Sequence, residues 1–122
     1  MVLYNYEIYE WGRKLANIDF DEYLPVKVNF YLRKNMALVL DKASEIERER
    51  ERIISQYAKI NEDGSFVFET VENEQIANQE FIDLQKLTQD LDIVKIPLSN
   101  FDNVNLKTSQ LDALMRMIEE DK

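Results

Sequence analysis

The side chains able to do chemistry in this sequence are carboxylates. Twenty-four Asp and Glu stand against fifteen Lys and Arg, and the chain has neither histidine nor cysteine. The usual general base near neutral pH, the commonest metal ligand and the thiolate nucleophile are therefore all missing. What remains is acid–base or hard-cation chemistry on Asp and Glu. Asp19, Asp21 and Glu22 crowd one short segment and could gather a divalent cation through oxygen. No second ligand set is marked elsewhere, however, and Glu119, Glu120 and Asp121 read as a polar chain end. The Asp63-Gly64 turn can be tried as a calcium loop with Gly64 in the sixth place. Lys59 and Thr70 then fall at its first and last places, where acids are needed. Two glycines in the whole chain cannot build a phosphate-cradling loop of the G-x-G-x-x-G kind. The expectation is a non-enzymatic protein with no metal and no cofactor. A carboxylate enzyme would require acids converging in one pocket.

The elements that must position any site are helical. Tyr4, Ile8, Trp11, Leu15 and Ile18 are spaced alternately four and three, a helical stripe, with Gly12 open to close approach by another element. Residues 17–24 read as a connection, and Pro25 suits the first turn of the next helix. From 25 to 57 there is no Gly and no further Pro. Leu32, Met36, Val39, Ala43, Ile46, Arg50, Ile53 and Tyr57 form a heptad seam, the pattern of a helix lying along another helix. At about 1.5 Å per residue such a helix is roughly 50 Å long, more than a chain of this size is wide. Part of it should project as an arm. Glu45, Glu47 and Glu49 each stand three residues before an arginine (Arg48, Arg50, Arg52), a solvated charge ladder. Arg50 alone falls on the seam, where it either snorkels or meets an acid of the opposing helix.

After the Asp63-Gly64 turn, residues 66–68 read as a short strand. A second amphipathic helix is expected over 73–91, with Ile76, Ala77, Phe81, Leu84, Leu87 and Leu91 inward. It can fold back on the long helix as an antiparallel hairpin. Residues 93–98 resemble another short strand, held at an edge by Pro97 and able to pair with 66–68. A last helix is expected over 109–120, with Ser109 and Asp112 as a capping box and Leu111, Leu114, Met115 and Ile118 apolar. The fold class is mainly α with a minor β element, one domain over 1–122 carrying a helical-hairpin arm at about 40–91. No apolar run is long enough to span a membrane, and no export signal opens the sequence. The lack of cysteine fits a reducing compartment such as a cytoplasm.

Charge is unevenly placed. The formal net is −9. Residues 61–92 hold Glu62, Asp63, Glu69, Glu72, Glu74, Glu80, Asp83, Asp90 and Asp92 against the single base Lys86. Residues 23–40 hold Lys27, Arg33 and Lys34 with no acid. Nucleic acid is disfavoured as a partner, since phosphate affinity rests on Lys and Arg. The acidic block serves solubility, or it is a face that docks on a basic protein. Part of it could instead answer the arginines of the neighbouring helix. The aromatics offer a second kind of surface, because Tyr and Trp are enriched at binding hot spots. Tyr6, Tyr9 and Tyr23 divide between core and interface, and Phe66 and Phe68 at an extended tip need something to bury them. The candidate protein-binding residues are thus Tyr6, Tyr9, Tyr23, Phe66 and Phe68 with Glu62, Asp63, Glu69, Glu72, Glu74, Glu80 and Asp83.

The order of elements carries a resemblance. A short first helix, a long helix growing charge-rich toward Tyr57, and the run Tyr57-Ala58-Lys59-Ile60-Asn61-Glu62-Asp63-Gly64-Ser65 come first. Residues 81–92 leading into 93–98 and a terminal helix over 111–120 complete it. This resembles a family of small proteins of unknown function encoded by siphophages and prophages of Gram-positive bacteria. The resemblance implies a phage origin, in the host cytoplasm or the virion, and brings no site residues with it. The leading expectation is an accessory protein that binds a host or phage protein, for instance to inhibit a defence or nucleic-acid enzyme. The alternative is a virion or assembly component (head, connector or tail) that forms a homo-oligomer through the long helix.

Overall fold

The computed structural model describes residues 1–19 and 24–120 of the chain. It is mainly helical, as the spacing predicts. β1 (Val2–Tyr4) leads without a break into α1 (Asn5–Ala16), and α2 (Val26–Tyr57) follows. α2 has 32 residues, about 48 Å at the usual rise. It begins directly after Pro25, whose carbonyl accepts from the Asn29 amide at 2.9 Å. β2 (Ala58–Ile60) and β3 (Phe66–Phe68) come next, then α3 (Val71–Lys86) and β4 (Thr88–Asp90). The chain closes with β5 (Ile96–Pro97), a 3-10 turn, α4 (Thr108–Leu114), a second 3-10 turn and β6 (Ile118–Glu119).

A head is built where α1 lies on the first half of α2. Ile8, Trp11 and Leu15 of α1 bury against Val28, Leu32, Val39 and Ile46 of α2. Leu91, Ile96, Phe101, Ala113, Leu114 and Met117 close the same core from the C-terminal third. The two helices approach closely because α1 has no side chain at Gly12. A Cβ there would stand 2.8 Å from that of Ala43, so any larger residue must push the helices apart. Beyond Ile46 the core cluster ends, and α2 continues as an arm with α3 along it, Ile53 and Ala77 being buried there. The arm is shorter than the expected 40–91, because α3 stops at Lys86.

That stop is a competition between ladders. The apolar spacing would carry α3 on to Leu91, but Thr88–Asp90 pair antiparallel with Val2–Tyr4 instead. Asn5 locks the junction: its backbone amide donates to the Leu87 carbonyl at 2.8 Å, and its side-chain amide donates to the Leu84 carbonyl at 2.9 Å. Gln89 in turn donates to the Asn5 side-chain oxygen at 2.8 Å. Leu87 is consequently exposed, and so is Ile76, against the inward placement their spacing predicts.

Two other sequence expectations fail for the same reason. Residues 66–68 pair with Ala58–Ile60 next to them, not with 93–96. Only Ile96–Pro97 of the second stretch is strand, and it runs parallel to Ile118–Glu119. This pairing takes Ile118 out of the last helix, so α4 ends at Leu114 and Leu111 and Met115 face outward. Ser109 does not cap it; the Gln110 side chain accepts from the Lys107 amide at 2.8 Å.

Candidate protein-binding site at the arm tip

α2 unwinds at Ala58, whose backbone is extended while its amide still bonds the Ile54 carbonyl. The chain then turns through residues 61–65. Gly64 takes a φ of 86°, which an L side chain rarely adopts. The Asp63 carboxylate accepts from the Ser65 amide at 3.0 Å and from its hydroxyl at 2.6 Å, and the Asn61 amide donates to the Ser65 carbonyl at 2.8 Å. These bonds, the hydroxyl's first, hold the Asp63 carboxyl below its usual range. On the return side, Thr70 caps α3 by accepting from the Asn73 amide at 3.1 Å. The tip is thus a short hairpin clamped at both ends by its own sequence.

Register decides what this hairpin presents. Ala58 lies opposite Phe68 and Ile60 opposite Phe66, so these four side chains share one face, while Lys59 and Val67 share the other. The Phe66 and Phe68 rings meet edge to face at 5.5 Å between centroids. Even so, Ile60 is 53% exposed, Phe66 40% and Val67 57%. Each strand has a single neighbour, so both outer edges carry unpaired amides and carbonyls. Glu62, Asp63, Glu69, Glu72 and Glu74 rim the tip and are all exposed. An apolar sheet face with open edges and an acidic rim can bind protein surfaces, both by side-chain burial and by strand addition.

The other sequence candidates fall elsewhere. Tyr6 is exposed on α1 and stacks on Tyr4 at 5.4 Å between centroids, on the head and away from the tip. Tyr9 is partly buried and packs against the head core, also away from the tip. Tyr23, with Asp21 and Glu22, lies outside the described residues. Among the described residues no three acids converge into a metal-holding group. No described helix is long and apolar enough to cross a membrane.

Glu80 and Asp83 sit on the arm shaft. Glu80 accepts from the Tyr57 hydroxyl at 3.0 Å, bridging α2 and α3, and Asp83 accepts from Gln79 on its own helix at 2.9 Å. On α2, Glu47 pairs with Arg50 at 3.6 Å and Glu49 with Arg52 at 2.7 Å, as the ladder predicts, but Glu45 turns to Lys42 at 3.5 Å. Arg50 stays exposed, as snorkelling predicts, and among the described residues it meets no acid of the opposing helix. Its guanidinium stands 5.9 Å from the centre of the Phe81 ring on α3. The bond to Glu80, aided by burial, pushes the Tyr57 phenol above its ordinary value. Its contribution to stability is full below the ordinary phenol value of about 10 and is lost as pH rises through the raised value. Tyr57→Phe is expected to remove this alkaline step. Melting temperature followed against pH for both proteins checks it, and identical alkaline profiles would contradict the bridge.

Ile60 and Val67 are the tip residues that the sequence candidates omit. Their signal was available: Ala58 and Ile60 alternate with Lys59 before a turn centred on Asp63-Gly64, and the apolar run Phe66-Val67-Phe68 follows it, a hairpin pattern. The heptad seam running up to Tyr57 masks it, because nothing in that spacing shows that the chain becomes extended at Ala58. Compared with protein-family models, with curated proteins and with solved structures, the chain matches none.

Proposed function

We propose that this chain is a non-enzymatic binding module that engages a protein partner with the tip of its arm. The observation that carries the reading is the apolar face of Ile60, Phe66 and Phe68 on a two-stranded sheet with open edges. Folding does not need those side chains where they are: the head has its own core, and the tip contributes nothing to it. An arm that holds such a face away from the head gives it reach and leaves room for a partner on all sides. In the phage setting implied by the sequence resemblance, the partner is a host or phage protein.

The test is a pair of tip substitutions, Ile60→Ser with Phe66→Ser. Losing two half-exposed anchors should weaken partner capture by about tenfold or more, since interface anchors are each worth upward of about 1 kcal/mol. Helix content by circular dichroism should stay unchanged. Undiminished capture by the double variant would rule out the tip as the binding site.

A further inference from the structure

The reading of the tip as a docking site can be taken one step further, to the identity of what docks. The opposite end of α2 carries a complementary surface. Val26, Phe30, Arg33 and Ala37 are spaced four, three and four and are all exposed, so they form one stripe along the helix. Val26 is 78% and Phe30 63% exposed, unusually open for apolar residues on an otherwise well-packed helix. Lys27 and Lys34 flank the stripe, both exposed. Arg33 donates to the Asn29 side-chain oxygen at 3.0 Å. Val26, Phe30 and Ala37 are thus apolar points on a stripe with Arg33 among them and Lys27 and Lys34 beside it, and none of these three cations has an ion pair among the described residues.

The arm tip is its counterpart: an apolar face edged by Glu62, Asp63, Glu69, Glu72 and Glu74, with Lys59 the one base between 58 and 74. Two tips would repel each other through these acids, and so would two copies of the basic stripe. Tip against stripe attracts. The two surfaces cannot meet within one chain, because Phe30 and Tyr57 stand at opposite ends of one continuous helix, about 40 Å apart.

We propose that the occupant of the arm tip is the Val26–Phe30–Arg33–Ala37 stripe of a second copy of this chain. Such contact is head-to-tail. Each copy offers a tip and a stripe, so association leaves a free surface at each end and builds a ring or a filament, not a closed two-fold dimer. The charges are exposed, so the assembly weakens as ionic strength rises.

Sedimentation velocity on the full chain tests this with two double variants, each checked for helix content. The first, Ile60→Ser with Phe66→Ser, blocks the tip; the second, Phe30→Ser with Lys34→Glu, blocks the stripe. Wild type should form oligomers that grow with concentration and dissolve in high salt. Each variant alone should be monomeric, and an equimolar mixture should give a 1:1 pair and nothing larger, because only one productive contact remains. A wild type that stays monomeric at every concentration overturns the proposal, as does a mixture that stays monomeric or grows past the pair. A photo-cross-linking phenylalanine analogue in place of Phe66, on the docking face itself, separates this failure from failure of the tip as a site. An adduct with a second copy supports head-to-tail association. An adduct with a different protein overturns it and keeps the tip as a docking site, whereas no adduct in cells or in purified protein overturns both.

Discussion

Trp11→Ala is expected to lower the free energy of unfolding by about 4 kcal/mol, in the range for removing a large buried aromatic. Trp11 is almost fully buried on α1, in the core cluster that Ala113 and Leu114 of α4 also join. Its indole N–H donates to the Ala113 carbonyl at 2.7 Å, inside the protein. That carbonyl lies in the last turn of α4, where no intrahelical donor remains for it. The substitution therefore opens a cavity, strands an acceptor and loosens α4, a helix of seven residues. Trp11→Phe separates these effects: it keeps most of the apolar area and should cost about 1–2 kcal/mol for the lost bond. Urea unfolding followed by circular dichroism reads both. A Trp11→Ala loss below about 1 kcal/mol would mean that the C-terminal third is not docked as described.

Asn35→Leu is the second large effect, expected at about 3 kcal/mol. Asn35 is buried in the first third of α2, and its side chain behaves as a piece of backbone. The amide nitrogen donates to the Val94 carbonyl at 2.8 Å, and the amide oxygen accepts from the Val94 N–H at 2.9 Å. This pair holds the segment between β4 and β5 against the helix. Leucine matches the volume but leaves both peptide groups of Val94 without partners, each costing about 1–3 kcal/mol when water cannot reach. Hydrogen exchange gives the direct reading: the Val94 amide should lose its protection in the variant while amides of α2 keep theirs. Unchanged protection at Val94 would refute the pairing.

Neither residue stands out in the sequence, and the reasons differ. Trp11 lies on the apolar stripe of α1, so its burial was legible; its acceptor, one hundred and two residues away, was not. Asn35 sits one place off the heptad seam, and nothing in the spacing marks it. Its role exists only once Val94 has been brought alongside. Tyr9 lies between these cases: its type marks it for a core or a surface, and only the fold shows it half-buried against the head core. The acidic block divides in a similar way. Glu80 is taken up by Tyr57 within the arm, while Glu62, Glu69, Glu72 and Glu74 remain exposed around the tip.

What the sequence determined by itself was local. Apolar residues at helical spacing without glycine or proline make α1 and α2, the lack of histidine and cysteine narrows the chemistry, and Asp63-Gly64 makes the turn. These depend on neighbours within a few residues, which spacing and composition record. The tertiary structure decided where helices end and what their surfaces offer. α3 gives way at Lys86 because β1 supplies a better ladder for Thr88–Asp90, and α4 stops short because Ile118 pairs with Ile96. The hairpin face of Ile60, Phe66 and Phe68 is likewise a matter of register. A shift of one residue would have turned Lys59 and Val67 to that side instead, and alternation alone does not say which side is left uncovered.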